Sequence, residues 1–124
     1  MSEDLSEKKK NLIKALSEVG IKRKTAEVLL CIAENENIKS QEIERKTGLR
    51  QPEVSICVQD LKIEGWISEK HVKKEGRGRP ENAYSLKADL NNIVSEIEEE
   101  KKEEIEQIEQ NIHSIKELAE KLYG

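Results

Sequence analysis

A chain of 124 residues has room for one compact domain of roughly 80 to 90 residues and little besides, which leaves no space for a large catalytic cleft. Apolar residues make up 35% and charged residues 39%, with no Phe, one Trp and two Tyr, so the core must be small and built from Ile, Leu, Val and Ala. The net charge of −4 speaks against a nucleic-acid partner only until it is divided along the chain: residues 1–88 carry 18 basic and 15 acidic side chains, and residues 89–124 carry 4 and 11.

Leu5, Leu12, Ile13, Leu16 and Val19 recur at helical spacing and predict a first helix over about residues 5–18, stopped at Gly20. A second, more buried helix is expected from about Arg23 to Asn35, with Ala26, Leu29, Leu30 and Ala33 as its stripe and Cys31 and Ile32 beside it. Ile38 suits a short strand. Ser40 is the expected N-cap of a helix of about seven residues, with Glu42 and Glu44 near its positive end, Ile43 inward and Gly48 at its C-terminus. Pro52 fits the first turn of the next helix, where a missing N–H costs nothing. Val54, Cys57, Val58 and Leu61 give that helix one apolar face, and Gly65 ends it.

Trp66 to Val72 is strand-compatible at its ends, Gly76-Arg77-Gly78-Arg79-Pro80 forms a turn or loop, and Ala83-Tyr84-Ser85-Leu86 reads as the returning strand. The hairpin is basic: residues 70–87 hold Lys70, Lys73, Lys74, Arg77, Arg79 and Lys87 against Glu75 and Glu81. From Asp89 to Tyr123 neither Pro nor Gly interrupts, which predicts one helix about 50 Å long. Leu90, Val94, Ile97, Ile105, Ile108, Ile112, Ile115, Ala119 and Leu122 fall at coiled-coil intervals, with a stutter around Lys101. The expected organisation is thus a mainly α domain with a small β-hairpin over residues 1–88. A C-terminal coiled-coil helix over residues 89–124 then joins two copies through Leu90, Val94, Ile97, Ile105, Ile108, Ile112, Ile115 and Leu122.

Helix, short helix, Gly turn, helix and basic hairpin is the order of a winged helix-turn-helix. The segments SQEIERKTGLRQPEVSICVQDLKIEGWI and KKEGRGRPENAYSL, covering about residues 39–86, resemble archaeal and bacterial winged-helix transcription regulators of the MarR, ArsR and TrmB kinds. The spacing of Ile43, Gly48, Val54, Val58, Leu61, Gly65 and Ile67 carries the likeness, with the Arg-Gly-Arg-Pro tip and the Tyr-x-Leu that follows it. The resemblance implies that the helix after Pro52 enters the major groove of duplex DNA and that the hairpin tip reaches an adjacent minor groove or the backbone. The residues agree with it. With Val54, Cys57, Val58 and Leu61 inward, Pro52, Ser55, Ile56, Gln59 and Lys62 point outward, with Arg50 and Gln51 at the entry and Ser40 on the preceding helix. Gln51 and Gln59 suit adenine, and Ser55 suits a base or a phosphate. Arg77 and Arg79 flank Gly78, which permits close approach to a backbone or a narrow A·T minor groove, and Lys73 and Lys74 add charge beside them.

Ile56 departs from the basic or polar residue that such regulators often carry there; it meets either a thymine methyl or another protein. Ile56, Ile63 and the modest charge of the helix favour the rival reading, a winged helix used as a protein-interaction module in a transcription complex. Cys31, Cys57, His71 and His113 share no helical face, so no metal is expected. No phosphate loop, nucleophile elbow or catalytic carboxylate pair occurs, so neither an enzyme nor a cofactor is expected. No apolar run spans a bilayer, which points to a cytoplasmic protein without a membrane partner. Any small-molecule effector stays open.

Overall fold

The computed structural model describes residues 2–72 and 81–124, with side chains from residue 5 onward. In chain order it runs α1 (Ser2–Glu18), α2 (Arg23–Glu34), β1 (Ile38–Lys39), α3 (Ser40–Thr47), α4 (Gln51–Ile63), β2 (Ile67–Val72), β3 (Glu81–Leu86) and α5 (Leu90–Tyr123). It divides into two compact units, Met1–Leu90 and Asn91–Gly124. Among the described residues no helix is long and apolar enough to cross a membrane.

The first unit is organised around α2. Thr25, Ala26, Val28, Leu29, Leu30, Cys31 and Ile32 are all buried, which is more than one stripe, because α1, α3, α4 and β3 pack around this helix. α3 contributes Ile43 to the core, and α4 contributes Val54, Cys57, Val58 and Leu61. The expected stripe on α1 is narrower than its spacing implies: Ile13 and Leu16 are buried, whereas Leu5, Leu12 and Val19 are exposed. A helix at the edge of a small core meets a neighbour along a thin line, and the outer members of its stripe stay in water.

Strands β1, β3 and β2 form one antiparallel sheet in that order, so the expected hairpin gains a third strand. Ile38 pairs with Tyr84 and Lys39 with Ala83, while β2 and β3 run in register from Ile67 opposite Leu86 to Val72 opposite Glu81. Buried Trp66 sits at the base of the hairpin, where its carbonyl accepts the Lys87 N–H at 2.9 Å.

The helix ends fix the angle between α3 and α4. Ser40 is not the N-cap of α3 but its first residue; Lys39 holds the cap position because it is already committed to β1, and the helix leaves the strand directly. Glu42 reaches back to accept the Lys39 N–H at 3.5 Å. Gly48 closes α3 at φ +75°, donating its N–H to the Glu44 carbonyl at 2.8 Å, a left-handed geometry that disfavours any side chain with a Cβ. Arg50 caps α4, with its N–H donated to the Glu53 carboxylate at 3.1 Å, and Pro52 occupies the first turn. At the far end Gly65, at φ +77°, donates to Lys62 while Trp66 donates to Leu61, the paired bonds that turn a helix into a following strand.

The second unit is one helix up to Tyr123. In α5 Ile93 and Ile97 are buried and Leu90 is half-buried. Val94, placed with Leu90 and Ile97 by the coiled-coil pattern, is exposed, and Ile93 beside it is buried. Ile93, Ile97 and half-buried Lys101 lie four apart, which keeps one stripe on a straight helix. There Ile105, Ile108, Ile112, Ile115, Leu118 and Leu122 are all exposed.

Candidate nucleic-acid interface

The outward surface of α4 is built by its inward one. Because Val54, Cys57, Val58 and Leu61 are locked into the core, a period of 3.6 residues turns Pro52, Ser55, Ile56, Gln59 and Lys62 to solvent. All five are exposed, as are Arg50 and Gln51 at the helix entry. Ser40 is half-buried at the start of α3 and lines a recess shared with Gln41, Gln51 and Asn82, which brings the two helices of the motif together at the entry to α4. Lys73, Lys74, Arg77 and Arg79 lie outside the described residues.

Charges on this surface are more fully matched than the sequence suggests. Lys62, expected to point outward from the helix, donates to the Glu69 carboxylate of β2 at 2.5 Å. Buried Tyr84, directly across the sheet from Glu69, donates its hydroxyl to the same carboxylate at 3.3 Å. The Lys62 ammonium holds the Glu69 carboxyl below its ordinary range, and Glu69 in turn raises Lys62. On the other flank of α4, Lys24 of α2 donates to Glu53, lowering the carboxyl and raising the lysine. Arg50 has no carboxylate on its side chain among the described residues, so it is the least neutralised cation of α4.

No family model matches the chain, and no curated protein does. Solved structures do. A MarR-family transcription regulator superposes with a TM-score of 0.54 at 12% identity, covering 96% of this chain and 77% of its own. MepR of S. aureus, solved with DNA, gives 0.52 at 17% identity over 93% and 92% of the two chains. NadR, solved with 4-hydroxyphenylacetate, gives 0.55 at 18% identity over 96% and 86%. The chain has the winged-helix fold of MarR-family regulators.

Within this MarR-type fold, one group of candidate residues is absent from the sequence reading. Lys22, Arg23 and Lys24 sit at the start of α2, all exposed, around a recess shared with Glu53, Ile56, Cys57 and Asp60 of α4. Three cations at the positive end of a helix dipole, with no acidic residue in the first turn, weaken the helix by tenths of a kcal/mol each. Helix stability therefore does not account for them. The Lys-Arg-Lys triplet at a helix start was the visible signal. Its closeness to α4, which comes from α2 packing against α4, was not.

The remaining chemistry-bearing residues do not assemble. Cys31 and Cys57 are buried free thiols on different helices, and burial pushes both above the ordinary thiol range, away from reactivity. His71 and His113 are exposed, and among the described residues no group of three His, Cys, Asp or Glu side chains is placed to hold a metal ion.

Proposed function

We propose that the chain is a transcription regulator that binds duplex DNA as a homodimer, with α4 in the major groove. The observation that carries the reading is the exposed row Arg50, Gln51, Ser55, Ile56 and Gln59 on a helix whose opposite face is locked into the core. Gln51 and Gln59 supply the donor and acceptor pair that adenine requires, and Ser55 serves base or phosphate. Lys22, Arg23 and Arg50 supply phosphate contacts around the helix, and Lys73, Lys74, Arg77 and Arg79 extend the positive charge by their sequence. The fold shared with MepR, solved with DNA, supports this use of the surface. The exposed Ile105, Ile108, Ile112, Ile115 and Leu122 of α5 supply a self-complementary seam for a second copy.

Fluorescence anisotropy of labelled duplexes at two salt concentrations tests the reading. A dimer neutralising about six phosphates loses about 10³ in affinity between 50 and 200 mM salt. Arg77→Ala with Arg79→Ala should weaken binding to all sequences and flatten that dependence. A second reading, a protein-docking module, draws on Ile56 and Ile63, exposed by 61% and 76% on α4. Absence of duplex binding at low salt would favour it.

A further inference from the structure

The middle of the outward face of α4 is neutral and partly apolar. At 100° per residue, the direction opposite Val54, Cys57, Val58 and Leu61 falls on Pro52, Ile56, Gln59 and Ile63, with Ser55 on the flank. All five are exposed. Two of the charged side chains along the margins are already engaged, Glu53 with Lys24 and Lys62 with Glu69. Asp60, half-buried in the recess that Ile56 shares with Lys22 to Lys24, is a further charge on that margin, and between the margins the surface reads by amide, hydroxyl and methyl groups.

Base edges in the major groove sort by the same chemistry. Guanine presents two acceptors and asks for Arg or Lys; cytosine presents a donor and asks for a carboxylate; adenine asks for an amide; thymine alone presents a methyl group. Arg50 stands at the helix entry, not at its middle, so the centre of α4 carries no side chain suited to guanine. Gln59 and Ile56, three residues apart on one face, match an adenine and a thymine methyl. We propose that Ile56 is a specificity-determining residue that packs on the 5-methyl group of a thymine, so that A·T pairs lie beneath the middle of α4. This rests on the reading that α4 enters the major groove. A protein partner fits the same patch poorly: a stable interface takes about 800 Å² per side around clustered anchors. Here Gln59 divides Ile56 from Ile63, and ion pairs run along both edges.

The test uses the full chain and a duplex selected from a random-sequence library, with each thymine of the central site replaced in turn by uracil, which lacks only the methyl group. One position should bind the parent roughly three- to five-fold more weakly as uracil. The Ile56→Ala variant should bind the thymine duplex as weakly as the parent binds that uracil duplex, and should lose its sensitivity to the exchange. Ile63→Ala, altered about 10 Å further along the axis, should keep it. Ile56 is exposed, so its removal leaves the core intact, and Trp66 emission reports that. Equal affinity for thymine and uracil at every position, or equal sensitivity in the Ile56→Ala variant, would overturn the inference while leaving DNA binding standing. Failure of the selection to enrich any duplex would remove both.

Discussion

Placing aspartate at Ile108 and Ile115 should separate the two copies of the proposed dimer and leave each winged-helix unit folded. In the single chain Ile105, Ile108, Ile112, Ile115 and Leu122 remain exposed by 55%, 57%, 47%, 63% and 70%. Burying a whole Ile or Leu side chain is worth about 1.5–3 kcal/mol, so a side chain that is roughly half exposed has about 1 kcal/mol left to gain from a partner. Two substitutions in each of two copies remove four such contributions, about 4 kcal/mol, before any cost of burying a carboxylate. That corresponds to about a 10³-fold rise in the dimer dissociation constant. Sedimentation equilibrium across a wide concentration range measures it directly. Unchanged association by the double variant would refute the use of this stripe as the seam. Loss of Trp66 burial on substitution would refute the independence of the first unit.

Three other outcomes follow from the geometry around α4. Glu69→Gln removes the carboxylate that engages Lys62; if the released ammonium in each of the two copies reaches one more phosphate, the salt dependence of DNA binding steepens by about 1.8 in log–log slope, or about 12-fold between 50 and 200 mM. The same variant should show a shallower loss of stability in acid: the Glu69 carboxyl is held below its ordinary value of 4.5, so its contribution is complete above that pH and disappears as pH falls through the lower folded value, as urea titrations at several pH values would show. Gly48→Ala meets nothing within 4 Å, so its cost is left-handed strain alone, about 1 kcal/mol by thermal or urea unfolding, and Gly48→Asn should cost less.

Much of the fold is legible in the sequence because its signals are local. Gly48 and Gly65 mark the ends of α3 and α4, Pro52 marks a first turn, and the intervals between Val54, Cys57, Val58 and Leu61 set the inward face, hence the outward one. What the sequence conceals depends on tertiary neighbours. Leu5, Leu12 and Val19 have the spacing of a buried stripe, but α1 lies at an edge and leaves them in water. Ser40 has the chemistry of an N-cap, yet Lys39 holds that position through its pairing with Ala83, forty-four residues away. Ile93 and Val94 are both apolar neighbours, yet Ile93 is buried and Val94 exposed, a difference their residue types do not announce.

The charge of the candidate DNA-facing surface is the most consequential of these tertiary effects. Counted from sequence, α4 carries Lys62 as a phosphate-seeking cation and Glu53 as a repelling anion, and the two assignments pull in opposite directions. In the fold each is engaged by a residue from another element, Glu69 of β2 and Lys24 of α2, so neither is an unmatched charge. The Lys62 pair depends on the turn at Gly65, which returns the chain so that β2 passes beside the last turn of α4. The Lys24 pair depends on α2 packing against α4. With both pairs formed, the proposed DNA binding draws its non-specific attraction from Lys22, Arg23, Arg50 and the basic segment between the strands. On the same proposal the middle of α4 discriminates by shape and hydrogen bonding. A surface divided in this way gains little from adding lysines to α4 and loses discrimination when Gln59 or Ile56 is changed, since the groups that would attract any duplex and the groups that would select one occupy different elements of the fold.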